Sequence, residues 1–281
     1  MYIVVLSPRV APGLLTREAW RLLESADVVY VTDRQHATAL AAAGLTIENE
    51  TGPIRDEQGA VWVTCDPEWA KSSAETLRDQ DIDVYLVPGS FDLPGARVLD
   101  LVNVMDRLRR ECPWTIQQTH ASLSHYLLEE THEVLEALDD DETNHLKEEL
   151  GDLLMQIVFH AVISAEADGW TIDDVAHGIT EKLIYRNPHV FADAQALTAE
   201  EVDANWQRLK GEEKQRASVW EGIPQTLPAL AAAAKILRRL DPIELNRDEL
   251  GDRFLALVVE ANNAGIDPEG LVRQTLARLT R

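Results

Sequence analysis

The sequence predicts a mainly α protein, a helical bundle preceded by a small α/β unit, and three observations carry that prediction. From Val98 onward, apolar residues recur at helical period and are interrupted only by polar or Pro/Gly breaks. Before about residue 95, short β-branched runs alternate with an amphipathic stretch, as in alternating strands and helices. Pro88, Gly89, Pro94 and Gly95 punctuate the passage between the two regimes. The expected domains are therefore 1–95, 98–220 and 221–281.

In order, Tyr2 to Leu6 reads as an apolar strand, Thr16 to Leu23 as an amphipathic helix, and Val28–Val31 and Val84–Val87 as further strands. Helices are expected over 98–110, 119–138, 144–168, 172–185, 198–216 and 228–239, a series that builds a bundle. A weak internal repeat closes the chain. KEELGDLLMQIVFHA, from Lys147, is echoed by RDELGDRFLALVVEA, from Arg247, so that Glu249 and Asp252 correspond to Glu149 and Asp152. No Glu-x-x-Glu helix precedes the second copy, which makes it half a site and structural by expectation.

Composition excludes several function classes. A chain of 281 residues with 45% hydrophobic and 27% charged residues has the length and balance of a globular protein with a full core. No apolar run approaches the roughly 18 residues of a membrane span, and no basic region precedes the apolar start MYIVVL, so neither membrane insertion nor a signal peptide is expected. The two cysteines, Cys65 and Cys112, are far apart, which fits a reducing cytoplasm, argues against a zinc knuckle and leaves the thiols incidental. A formal net charge of -23 repels nucleic acid and anionic membrane surfaces. A small phosphorylated substrate remains compatible, given a divalent metal and locally placed Lys or Arg.

The chemistry concentrates in four acidic residues. Glu130 and Glu133 lie in LLEETHEVLEAL, and Glu149 and Asp152 in HLKEELGDLLMQ. Each pair has i, i+3 spacing, which puts two carboxylates on adjacent turns, and antiparallel pairing of the two helices makes all four converge. Projected at about 100° per residue, Leu123, Leu127, Val134 and Leu138 form an apolar stripe that contains Glu130 and has Glu133 at its edge. Leu146, Leu150, Leu153 and Ile157 form the stripe that Glu149 and Asp152 border. Carboxylates gathered against an apolar interior call for a compensating cation, and all-oxygen ligation selects a hard ion, Mg2+ or Mn2+. Gly151 between them costs about 1 kcal/mol relative to alanine, which points to close approach of a backbone or ligand. Most other acidic pairs, such as Glu129/His132 or Asp139/Glu142, read as solvated helix faces.

Two resemblances extend this reading. MDRLR at 105–109, CPW at 112–114, QTHASL at 118–123, LEETHEV at 128–134, EELGDLL at 148–154, NPHVF at 187–191, Trp206 with Lys210, and IPQTLPAL at 223–230 form an ordered series. That series, from about Met105 to Ile236, resembles the MazG family of nucleoside triphosphate pyrophosphohydrolases. The resemblance implies a MazG-type all-α bundle and hydrolysis of (deoxy)nucleoside triphosphates to monophosphate and pyrophosphate. It assigns the metal to Glu130, Glu133, Glu149 and Asp152, with Glu130 also activating the attacking water. It assigns substrate binding to Lys182, Arg186, Trp206 and Lys210, makes residues 221–281 a truncated second repeat, and implies a homodimer or higher homo-oligomer serving nucleotide-pool sanitation. Tyr185 and Asn187 depart from the Arg and His common around the P-H-V-F motif. The opening MYIVVLSPRVAPGLLTREAWRLLESADVVYV resembles the tetrapyrrole methylase family, but Val5, Ser7, Arg9 and Ala11 stand where that family carries glycines, which implies a non-methylating remnant. The competing readings are a noncatalytic regulatory module, a hydrolase of another phosphorylated metabolite, and a di-iron bundle built on the Glu129/His132 and Glu142/His145 pairs.

Overall fold

In a computed structural model of the chain, all residues are described except 51, 141, 193–197, 215–217, 241–243, 247 and 281. Contacts divide it into two compact units, Met1–Thr119 and His120–Arg281. The chain is mainly α, as the sequence predicts.

The first unit runs β1 (Tyr2–Val5), α1 (Arg17–Glu24), β2 (Val28–Val31), α2 (Arg34–Ala42), β3 (Ile47–Asn49), β4 (Ala60–Thr64), α3 (Pro67–Arg78), β5 (Tyr85–Pro88), α4 (Arg97–Glu111) and α5 (Pro113–Ile116). The strands form a parallel sheet in the order β3-β2-β4-β1-β5. Its two faces follow from the two-residue period of each strand. Val4, Val29, Val31, Val61 and Val63 face α1 and α2 through Leu23 and Leu40. Their neighbours Ile3, Tyr30 and Trp62 face α3 through Ala70, Ala74 and Leu77. Burial on both faces is what a parallel sheet demands. Thr16, Asp33 and Asp66 each accept a backbone N–H from the first turn of the helix they precede, which fixes where α1, α2 and α3 start.

The strands expected around 28–31 and 84–87 are present, the latter one residue later. β3, β4, α2 and α3 lack a clear signal: β4 is an uninterrupted apolar run, AVWVT, with no alternation to announce it, and α2 is rich in alanine, which marks no face. The division between units falls after α4 and α5, whereas the composition break at 95–98 lies between β5 and α4.

The chain leaves β1 toward β2 on one side and β4 toward β5 on the other, so a crevice opens beyond the carboxyl ends of β1 and β4. A cavity of about 450 Å3 occupies this place, lined by Ser7, Arg9, Cys65, Ser90 and Asp92 among others. Gly89 lets β5 end there, since a Cβ would lie 2.3 Å from Leu6 Cδ2 and 2.5 Å from Val4 Cγ1. Arg9 is pinned, donating to Asp100 at 2.6 Å and to Asp92 at 2.7 Å, and the Ser7 hydroxyl also bonds Asp92. The Arg9 guanidinium holds the Asp100 carboxyl below the usual carboxylate range, and the Ser7 hydroxyl together with Arg9 does the same for Asp92.

The second unit runs α6 (Ser124–Asp139), α7 (Thr143–Ala165), α8 (Ile172–Arg186), α9 (Pro188–Phe191), α10 (Ala199–Lys214), α11 (Ala229–Leu237), α12 (Leu250–Asn263) and α13 (Pro268–Thr280). α6 packs along α7 as a hairpin, α7 packs on α8 and α8 on α10, while α11 packs on α12 and α13. The first hairpin helix starts at Ser124 rather than 119, because residues 120–123 form turns. Residues 215 and 216 of the helix expected over 198–216 lie outside the described residues. In the internal repeat, Asp252 accepts the Asn246 backbone N–H at 2.7 Å, and Glu249 stands at the N-cap position of α12 without a side-chain cap bond.

The first unit is expected to show no saturable binding of S-adenosylmethionine by calorimetry, because Arg9, locked to two carboxylates, stands at the crevice where close backbone approach would require glycine. Saturable binding would overturn that reading.

Candidate active site

The site is made by the α6/α7 hairpin. In antiparallel helices, partners step in opposite directions along the chain, so Glu133 faces Glu149 while Glu130 faces Asp152. Carboxylate oxygens of Glu130, Glu133 and Glu149 all lie within 4.8 Å of one another, and the charge of Asp152 acts on Glu130. Three of the four predicted ligands are therefore brought together by distance, while Asp152 lies outside that group and acts on Glu130 through its charge.

The electrostatics follow from crowding. Glu130 has its pKa raised, first by burial, then by the charges of Asp152 and Glu133 and by a hydrogen bond with Glu133. A hydrogen bond from Gln156 opposes the shift. Gln156 is a residue that sequence reasoning missed. It lies one turn beyond Asp152, is 3% exposed, and its carbonyl oxygen Oε1 has no hydrogen-bond partner among the described residues. Its spacing to Glu149 and Asp152, i+7 and i+4, was the available signal. His145 was also missed in this role: its Nε2 lies 3.0 Å from Glu149 Oε1, one turn away on α7, so it pairs with Glu149 rather than with Glu142. His132 belongs to neither of the two metal-competent groups found among the described residues.

The buried face of α7 differs from the expected stripe. Glu149, Gln156, Val158 and Phe159 are buried, whereas Leu150 is 48% and Ile157 39% exposed. On α6, Ala137 is buried and Leu138 is 55% exposed. The hairpin interior is narrower and more polar than the apolar periodicity implies, and leucines expected inside it lie on the outside of this chain. At Gly151 a Cβ would meet nothing within 4 Å, so among the described residues no neighbouring backbone approaches it and the space beside it is open.

The polar seam continues one turn beyond Gln156 to His160, whose Nδ1 lies 2.8 Å from His120 Nδ1, the rings stacked at 5.1 Å and Trp170 stacked on His120. Burial and the neighbouring His120 push the His160 imidazole below its ordinary pKa.

The four expected substrate-binding residues fall on α8 and α10. Arg186 is buried, donates to Glu213 Oε2 at 2.7 Å and lies over the Trp206 ring at 5.3 Å. Lys182 is exposed one turn before Arg186, and Lys210 lies one turn after Trp206. Arg186 and Trp206 are thus brought together across the α8/α10 contact, which joins the acidic hairpin through α7 and α8.

Comparison with known proteins gives four results of note. Residues 118–191 match the MazG nucleotide pyrophosphohydrolase domain. The chain is 46% identical over 200 residues to an uncharacterized 26.1 kDa protein of Streptomyces cacaoi, covering 68% of this chain and 83% of that one. It is 34% identical over 269 residues to the nucleoside triphosphate pyrophosphohydrolase of Mycolicibacterium smegmatis, covering 93% of this chain and 79% of the relative. It is also 47% identical over 127 residues to YabN of Bacillus subtilis, of which it spans 26%.

If the carboxylates form one functional cluster, Glu133→Ala and Asp152→Ala each reduce turnover by more than about 100-fold, beyond the effect of losing outer-shell support at a metal site. Folding survives, because removing one member of a repelling cluster relieves repulsion in the metal-free chain. Circular dichroism and steady-state rates check this. Activity that tracks lost helicity would mark the residues as structural.

Proposed function

This chain belongs to the MazG family of nucleoside triphosphate pyrophosphohydrolases, and from that premise we propose how the α6/α7 hairpin performs the hydrolysis of nucleoside triphosphates to monophosphate and pyrophosphate. The observation that carries the proposal is the convergence of Glu130, Glu133 and Glu149 within 4.8 Å, with Asp152 acting on Glu130.

The donor set fits a hard divalent ion. It consists of carboxylates alone, its crowding already raises Glu130, and the orphaned Gln156 Oε1 adds a further hard oxygen beside them. Glu133, Glu149 and Asp152 would hold Mg2+ or Mn2+. When bound, the ion supplies charge neutralisation on the phosphate oxygens and the departing pyrophosphate.

The chain's own residues do the rest. Glu130, raised toward a useful base by burial and its acidic neighbours, takes a proton from the water that attacks the α-phosphorus. Gln156 orients Glu130 through their hydrogen bond. Lys182 and Lys210 add positive charge for the triphosphate, and Arg186, braced by Glu213 and Trp206, presents a preoriented guanidinium. The reading extends to the chain's setting: a cytoplasmic enzyme of nucleotide-pool sanitation that acts on neither nucleic acid nor membrane. No helix among the described residues is long and apolar enough to cross a membrane.

The functional assembly is a homodimer or higher homo-oligomer formed through the MazG-type bundle. Leu150, Ile157, Ile179, Leu183, Phe254 and Leu257 are large apolar residues left exposed on helices of the second unit, and a second chain would cover them. The open space over Gly151 gives a second copy room to approach α7.

With Mg2+ or Mn2+, products resolved by ion-exchange chromatography are expected to be monophosphate and pyrophosphate across a panel of NTPs and dNTPs. Release of orthophosphate alone would reject the assignment, and turnover only of other phosphorylated metabolites would favour that alternative. Light scattering at micromolar concentration is expected to give at least twice the 31.4 kDa chain mass. A fully active species of single-chain mass would contradict the assembly.

A further inference from the structure

The first unit carries a second donor cluster, with different chemistry. Asp33, at the N-cap of α2, accepts both the backbone N–H of His36 at 2.9 Å and a contact from His36 Nδ1 at 2.8 Å. Cys65, immediately after β4, places its Sγ 3.5 Å from the same Nδ1. The three donor atoms all lie within 4.8 Å of one another, and His36 is 5% exposed. The fold explains why they meet. β2 and β4 are adjacent in the sheet, so the loops leaving their carboxyl ends run side by side, tied by a Thr32–Thr64 hydroxyl bond of 3.0 Å.

Two uses of such a trio can be told apart by geometry. A nucleophilic Cys-His-Asp arrangement employs the two ring nitrogens separately, one toward the thiol and one toward the carboxylate. Here both partners address Nδ1, so the imidazole cannot relay a proton between them. A shared metal ion requires the opposite: one oxygen, one nitrogen and one sulfur converging on a common point. With metal–sulfur and metal–nitrogen bonds of about 2.3 and 2.05 Å, tetrahedral geometry separates the two ligand atoms by about 3.5 Å. The His36–Cys65 separation matches that edge. The Asp33–His36 edge has to open from its hydrogen-bonded 2.8 Å to about 3.4 Å when a metal replaces the proton.

We propose that Asp33, His36 and Cys65 form a site for a zinc-class transition metal, separate from the acidic hairpin and selected by its thiolate and imidazole ligands. Three protein ligands leave a fourth position. Cys65 also lines the 450 Å3 cavity beyond β1 and β4, so water or a small anionic ligand entering that cavity can complete the coordination.

The test uses the full chain carrying Cys112→Ser, stripped of metal and titrated with Co2+. Sulfur-to-cobalt charge-transfer absorption is expected to saturate at one equivalent and to be displaced by one equivalent of Zn2+. Binding at the all-oxygen hairpin produces no such band, so the two sites are read separately. Cys65→Ser abolishes the band and His36→Asn weakens binding at least tenfold. Asp33→Asn keeps the helix cap, since asparagine caps as well as aspartate, yet also weakens it. Hydrolysis of nucleoside triphosphates with Mg2+ remains unchanged in Cys65→Ser. As a check independent of variant folding, Zn2+ slows alkylation of Cys65 in the unmutated chain, followed by peptide mass spectrometry. Absence of the band, its persistence in Cys65→Ser, or equal alkylation with and without Zn2+ overturns the proposal.

Discussion

Like charges held together inside a helical hairpin are the constraint on which the functional half of this protein depends. Carboxylates on facing turns of α6 and α7 repel one another in any state that leaves them ionised and unbalanced, and Glu130, raised first by burial and then by the charges of Asp152 and Glu133, holds its proton beyond the ordinary glutamate range. A helix pair selected only for stability would put leucine at those positions. Here the leucines occupy the outer flank, where Leu150 and Ile157 remain exposed, and the hairpin seam is given to Glu149 and Gln156. The carboxylates fit a divalent ion, and the exposed leucines fit a neighbouring chain.

The two units hold metal-competent groups of opposite character. The hairpin offers hard oxygens crowded together. The sheet offers a buried imidazole and a thiol beside a single carboxylate.

Much of this was legible in the sequence where local pattern and global fold agree. The i, i+3 acidic pairs, the hairpin helices and the first two strands follow from period and spacing alone. Which face of α7 is buried did not, since apolar periodicity marks every face that excludes water, including one left for another chain, and it placed Leu150 and Ile157 inside. The cost of Gly151 to the helix was evident from sequence, and the space beside it is open among the described residues. The only signal Gln156 carried was its spacing of one and two turns from Asp152 and Glu149, which alone does not separate it from an ordinary polar residue. Cys65 read as incidental because its partners, Asp33 and His36, lie some thirty residues away and meet it only through the β2–β4 pairing.

The central claim, that the acidic seam is folded against its own repulsion and completed by a divalent ion, is tested most directly by the pH dependence of stability in the unmutated chain relative to Glu130→Gln. A carboxyl with a raised folded pKa keeps its proton where the unfolded chain has lost it, so its stabilising contribution is present below 4.5 and falls as pH climbs through the interval up to the folded value. Taking the difference between the two proteins removes the carboxylates that shift the other way, such as Asp33, Asp100 and Asp139. Without metal, the thermal midpoint of the unmutated chain is predicted to fall relative to Glu130→Gln as pH rises from 4.5 toward neutrality. Mg2+ should reverse that fall at neutral pH, because it binds only the folded, ionised cluster. A difference that stays flat with pH, or a midpoint at neutral pH indifferent to Mg2+ and Mn2+, would contradict the account.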